Sequence, residues 1–144
     1  MVEDFERTPW PWSPWALREG GTNVGTTTAA CAREGTLGLA PGSGAWYSRT
    51  DMTIGNPGER LSWWVKTAPT GTGRAYMGFG ATATGAFSLV LATNSDSFVL
   101  QDNAGWAFTD VASVAQTYTA ATWYRVEATI GTGGAVPGRL YGSH

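Results

Sequence analysis

Cysteine and histidine are nearly missing from this chain: one of each, Cys31 and His144, in 144 residues. A lone cysteine closes no internal disulfide, so the fold does not depend on one and the redox compartment stays open. Cys31 reads as a small buried filler. With the sole histidine at the last position, a Ser-His-Asp triad is excluded and a zinc site lacks its usual ligands. Charged residues are also scarce, 14% against an ordinary ~25%. The nine basic residues are scattered singly and the formal net charge is -2, which leaves no clustered basic surface for nucleic acid. No apolar run approaches the ~20 residues of a membrane-spanning helix, so no membrane partner is expected. Met1-Val2-Glu3-Asp4-Phe5-Glu6 is acidic and has no apolar stretch of signal-peptide type. The expectation is an extracellular or virion-surface protein that leaves the cell by lysis, or one module of a longer secreted chain.

What the chain does have is glycine, threonine and tryptophan, with 20 Gly and eight Trp. A length of 144 residues fits one domain over 1–144 with a proper core. Val2–Glu6 reads as a first strand. Trp10-Pro11-Trp12-Ser13-Pro14-Trp15 follows, and its prolines forbid a central strand or a helix interior. An irregular Trp/Pro-rich loop is therefore predicted over 8–16. Two readings of it are open: a hydrophobic plug over one end of the core, or an exposed aromatic platform. Further strands are predicted over 23–28, 36–40 and 45–49, with one helical turn over 29–34. In Arg60–Lys66, Leu61, Trp63 and Val65 share one strand face and Ser62, Trp64 and Lys66 the other. Strands over 75–79, 86–92 and 97–101 come next, with Phe87, Leu89, Leu91, Phe98 and Leu100 inward. The segment 106–114 reads as short and irregular. Thr122–Ile130 is the clearest strand, with Tyr124, Val126, Ala128 and Ile130 inward and Trp123, Arg125, Glu127 and Thr129 outward. Gly138–Tyr141 is the last. Short strands separated by turn clusters predict an all-β, antiparallel two-sheet β-sandwich.

Four pieces carry a family likeness: Glu3-Asp4-Phe5-Glu6; Glu34-Gly35-Thr36-Leu37-Gly38-Leu39; Leu61-Ser62-Trp63-Trp64-Val65-Lys66; and Thr122-Trp123-Tyr124-Arg125-Val126-Glu127 with Gly138-Arg139-Leu140-Tyr141. Through them the sequence resembles the concanavalin A-like, laminin-G-like jelly-roll modules of bacterial and phage proteins. The resemblance spans nearly the whole chain and reports fold more than activity. It implies two curved antiparallel sheets, one of them commonly used for glycans. Modules of this kind usually continue past the Arg-Leu-Tyr strand into a closing strand beside the N-terminus, whereas this sequence ends at Gly142-Ser143-His144. Some glucanases share the fold and use a strand with carboxylates at alternating positions. No strand here has them, so the expectation is no enzymatic activity.

The positive signal is aromatic residues at outward strand positions. Trp64, Tyr76, Trp123 and Tyr141, with Gln101, Arg125, Glu127 and Arg139, form the candidate carbohydrate-binding set. Sugar rings stack their C–H faces on aromatic rings, while their hydroxyls need fixed polar partners. Arg125 and Glu127 pairing with each other is the alternative. For calcium, Asn94, Asp96, Asp102, Asn103, Glu3 and Asp4 offer oxygen ligands, but ordinary Asx turns are the preferred reading of these residues. No metal or other cofactor is expected. The leading functional expectation is a non-catalytic, lectin-like module whose partner is an oligosaccharide or cell-surface glycan, in carbohydrate binding or surface adhesion. The alternative is a phage virion structural protein, a capsid decoration or tail-fibre module working through contacts with capsid or tail proteins. In either case Trp10, Trp12 and Trp15 or the N-terminal edge are expected in an assembly contact, with a homo-oligomer as the simplest form.

Overall fold

The computed structural model describes residues 3–20, 24–52, 54 and 56–142. The chain is all-β and forms several antiparallel sheets, compatible with a β-sandwich. Its contacts group into two compact units, Met1–Thr53 and Ile54–His144.

In the first unit, β1 (Trp15–Glu19) pairs with β4 (Trp46–Arg49), and β2 (Thr26–Thr28) with β3 (Gly38–Ala40). The helical turn expected over 29–34 is a shorter 3-10 turn, Ala29–Cys31. The strand expected over Val2–Glu6 is corrected: residues 3–6 belong to no strand, and Val2 lies outside the described residues, as does Asn23. Phe5 takes a φ of 58°, which an extended strand does not allow. Carboxylates hold this segment instead. The Glu3 side chain accepts hydrogen bonds from the Trp15 indole at 2.9 Å and from Arg49 at 3.2 Å. The Glu6 side chain accepts the Thr36 and Leu37 backbone N–H groups at 2.9 and 3.0 Å, and the Thr36 hydroxyl as well. Residue 38 must be glycine, because a Cβ there would lie 1.9 Å from the Cys31 carbonyl oxygen.

The Trp loop packs on itself. The Trp10 ring lies 5.0 Å from Trp12, 5.4 Å from Trp15, 5.7 Å from Phe5 and 5.0 Å from Tyr47, and Trp10 is only 8% exposed. Trp12 and Trp15 are half-buried, and Trp15 already opens β1. The loop supplies the aromatic centre of its own unit, with Trp10 withdrawn from solvent and Trp12 and Trp15 partly exposed.

The second unit holds the remaining strands: β5 (Arg60–Lys66), β6 (Arg74–Thr82), β7 (Gly85–Ala92), β8 (Ser97–Asp102), β9 (Thr109–Ala115), β10 (Trp123–Thr129) and β11 (Gly138–Gly142). They form a three-stranded sheet in the order β11-β10-β5 and a four-stranded sheet in the order β6-β7-β8-β9. One apolar cluster draws on both. Met77, Phe79, Leu89, Leu91 and Phe98 come from the larger sheet, and Tyr124, Val126 and Ala128 from the smaller, with Ile130 beyond it. Leu61, Trp63 and Val65 pack against this cluster, as their strand alternation predicts.

Phe87 shares the face of Leu89 and Leu91, opposite Phe79 on β6, but at the end of that face it is 45% exposed, its ring stacked on Phe79 at 6.0 Å. Two expectations need correction here. Ser88 and Val90, expected on the solvent side of β7, are fully buried, and Val90, Ala92 and Val99 form a second small cluster with Tyr76 against it. The segment 106–114 is not irregular, since Thr109–Ala115 is a full strand. Its register on β8 shifts between Leu100 and Gln101. A bulge of this kind interrupts the two-residue period that marks a strand in a sequence.

Two consequences are measurable. Leu91→Ala should lower unfolding free energy by about 2–5 kcal/mol, the usual cost of a buried cavity, whereas Phe87→Ala should cost distinctly less in the same urea titration. Hydrogen bonds from the Thr36 hydroxyl and then the Leu37 backbone hold the Glu6 carboxyl below its ordinary value of 4.5. A depressed folded-state pKa contributes stability above the unfolded value and loses it as pH falls through the folded one. Glu6→Ala should therefore lower the thermal midpoint at neutral pH, and the gap to the parent protein should close below about pH 4.5; a constant gap across that range would contradict this.

Candidate functional site

The outward face of β11-β10-β5 follows from the same alternation that builds the core. Along β10, Tyr124, Val126 and Ala128 are buried, so Trp123, Arg125, Glu127 and Thr129 must point the other way. Cross-strand register then sets the neighbours. Arg125 sits between Trp64 on β5 and Tyr141 on β11; Glu127 sits between Ser62 and Arg139; Trp123 faces Lys66. Six of the eight residues expected in a glycan site, Trp64, Trp123, Arg125, Glu127, Arg139 and Tyr141, thus share one face, and Ser62 and Lys66 join them.

The face is open and mixed in chemistry. Trp64 is 41% exposed and Tyr141 36%. The Arg125 guanidinium lies 4.5 Å from the Tyr141 ring centre, a cation–π contact. The Lys66 ammonium lies 6.0 Å from the Trp123 ring centre. Arg125 and Glu127 approach only to 4.0 Å, the outer limit of an ion pair, and partly exposed pairs contribute little. Arg125 is thus held more by the Tyr141 ring than by the carboxylate. Hydrogen bonding with Tyr141, then the charges of Tyr141 and Glu127, keep the Arg139 guanidinium above its ordinary pKa. Glu127 is the only carboxylate on β5, β10 and β11, so this face offers no pair of acidic groups for glycoside cleavage. It offers flat rings, four cations (Arg60, Lys66, Arg125 and Arg139) and one carboxylate, which suits stacking and hydroxyl recognition.

Two expected members are elsewhere. Tyr76 lies on β6 in the other sheet, its ring 5.6 Å from Phe108. Gln101 lies on β8 and is fully buried. Its amide donates to Asp110 at 2.5 Å and its carbonyl accepts from Asn103 at 3.2 Å. A buried amide satisfied in this way cannot meet a glycan, so its assignment to the ligand face is corrected. The outward reading of Gln101 assumed that β8 has one solvated face, and both are covered.

The residues considered for calcium are dispersed. Asn94 accepts from Arg74, Asp102 accepts the Ala104 N–H, Asn103 is buried, and Glu3 is engaged by Trp15 and Arg49 in the first unit. Asp4 accepts the Glu6 N–H, and Asp96 holds the turn after β7 with a φ of 46°. Among the described residues no three His, Cys, Asp or Glu side chains gather as a metal site would require. Cys31 is half-buried in its 3-10 turn, and His144 lies outside the described residues. No described helix is long and apolar enough to cross a membrane.

Comparison of the chain with protein-family models, with curated proteins and with solved structures finds no match.

The Arg125–Tyr141 contact can be weighed directly. A double-mutant cycle with Arg125→Ala and Tyr141→Ala should return a coupling of about 0.5–1 kcal/mol in urea unfolding, as expected of an exposed cation–π pair. The cycle of Arg125→Ala with Glu127→Ala should return less.

Proposed function

We propose that this protein is a non-catalytic, lectin-like carbohydrate-binding module, and that its ligand is an oligosaccharide or cell-surface glycan laid on the outward face of β11-β10-β5. The observation that carries the reading is the row Trp64–Arg125–Tyr141, three adjacent strand positions on one exposed face. Such a row pairs an apolar floor with a fixed charged donor, the two elements a sugar site combines. Rings held by a sheet lose little conformational freedom on binding, which favours affinity from a small contact. Glu127 and Arg139, the next register pair on the same face, add an acceptor and a donor for hydroxyl groups. The single carboxylate on the face supports binding without cleavage.

The fold belonging to this reading is a jelly-roll β-sandwich of the concanavalin A-like type. The support is a single apolar cluster fed by inward residues of both sheets in the second unit, together with the resemblance carried by Leu61–Lys66, Thr122–Glu127 and Gly138–Tyr141. The role that fits is surface adhesion outside a cell or on a virion.

On a glycan array the protein should bind a restricted set of oligosaccharides. Against the best of these, Trp64→Ala and Trp123→Ala should each weaken binding by more than about 1 kcal/mol, since a few aromatic anchors dominate such contacts. Both variants should keep the parent circular dichroism. An array without hits would overturn the reading, and so would equal affinity in the two variants.

A further inference from the structure

Four strands end the two sheets of the second unit: β5 and β11 in one, β6 and β9 in the other. Edges are normally guarded by charge, proline or cover, because their outward N–H and C=O groups pair with any strand that arrives. Three of these edges carry cations: Arg60 and Lys66 on β5, Arg74 on β6 and Arg139 on β11. The fourth does not. β9 reads Thr-Asp-Val-Ala-Ser-Val-Ala, without lysine, arginine or proline, and every residue in it is exposed. Val111 and Val114 are 59% and 62% exposed, and Phe108 just before the strand is 58% exposed.

The sole charge on the strand, Asp110, accepts from Gln101 on the neighbouring strand. The bulge lies between Asp110 and Ala112, so the stretch beyond it, Ala112 to Ala115, pairs regularly with β8. The Gln116 N–H donates to the Asp96 carbonyl at 2.8 Å. That bond sets the parity: the backbone groups of residues 112 and 114 face β8, and those of Ser113 and Ala115 face away from it. Ala112 and Val114 lie opposite Leu100 and Phe98 and continue the core side of the sheet. There they border an apolar groove of about 170 Å³ whose other walls include Leu89 and Val136.

We propose that β9 is a self-docking edge, and that two copies of this chain join by antiparallel β9–β9 pairing about a two-fold axis at Ser113. In that register Ser113 and the partner's Ser113 exchange two backbone hydrogen bonds, as the outward parity requires. Ala112 lies beside the partner's Val114 and Val114 beside the partner's Ala112, all on the core side, so the apolar floor runs on from one copy into the next. Ser113 meets its counterpart on the opposite side. Asp110 lies beyond the bulge, away from the two-fold axis, so no carboxylate faces a carboxylate. The contact is isologous, and it closes as a dimer because each copy has one such edge. It lies on a different sheet from the Trp64–Arg125–Tyr141 row and does not depend on glycan binding.

Sedimentation velocity and hydrogen exchange on the full chain test this. The parent protein should sediment at twice the chain mass at high micromolar concentration, and the Ser113 and Ala115 amides should gain protection as concentration rises. Ser113→Pro removes only an outward N–H, and Val114→Lys puts a cation on the core side of the edge. Each should return the protein to chain mass with an unchanged circular dichroism spectrum. A parent that stays monomeric, or whose Ser113 and Ala115 exchange is independent of concentration, overturns the proposal without recourse to any variant. A dimer that survives both folded variants overturns it as well.

Discussion

The alternation of β10 is the constraint on which the second unit depends. Val126 and Ala128 are fully buried and Tyr124 nearly so, while Trp123, Arg125 and Glu127 stand on the other face. Side chains on a strand repeat every two residues, so a slip of one position would turn Val126 to solvent and Arg125 into the core. Burying a Val-sized side chain is worth about 1.5–3 kcal/mol, and an unpaired buried guanidinium costs several more. Register on β10 is therefore strongly specified, and β5 and β11, paired to either side of it, inherit that specification. The aromatic and charged face is the necessary back of the core, so its geometry is as firm as the packing beneath it. The loop leading into β10 is tied to the same strand: the Tyr124 hydroxyl accepts the Thr119 N–H at 2.9 Å, and the Thr67 hydroxyl donates to the Thr119 carbonyl at 2.7 Å.

The first unit is held by different means. Its sheets are two-stranded and short, and isolated pairs of that kind are marginal in water. Two carboxylates and a group of rings supply what the ladders do not. Glu3 joins Trp15 to Arg49, and Arg49 continues to Asp51 at 2.7 Å. Glu6 closes the turn at Thr36 and Leu37. Trp10 is surrounded by Phe5, Trp12, Trp15 and Tyr47. The aromatic loop thus packs within its unit, with Trp10 itself almost wholly withdrawn from solvent.

Sequence periodicity identified the strands whose two faces differ. Arg60–Lys66 and Thr122–Ile130 alternate cleanly, and both the strands and the residues on each face are found as read. Six of the eight candidate ligand residues lie on these two strands and β11, and the structure brings those six together. Periodicity carries no such information where both faces are covered, as at Ser88, Val90 and Gln101, because a covered polar residue looks like a solvated one. It also fails at β9, where a bulge breaks the period. The segment 3–6 misleads for a third reason: Glu3 and Glu6 look like the solvent side of a strand, but they act as caps for distant backbone and side-chain donors, and nothing local in the sequence marks those donors.

The most direct measurement is a nitrogen-15 NMR titration with the oligosaccharides that an array selects, read at the indole N–H signals of the eight tryptophans. The account predicts shifts centred on Trp64 and Trp123, with Trp10, Trp12 and Trp15 unmoved. Shifts centred on the Trp10–Trp15 loop, or no shift with any oligosaccharide, would contradict it.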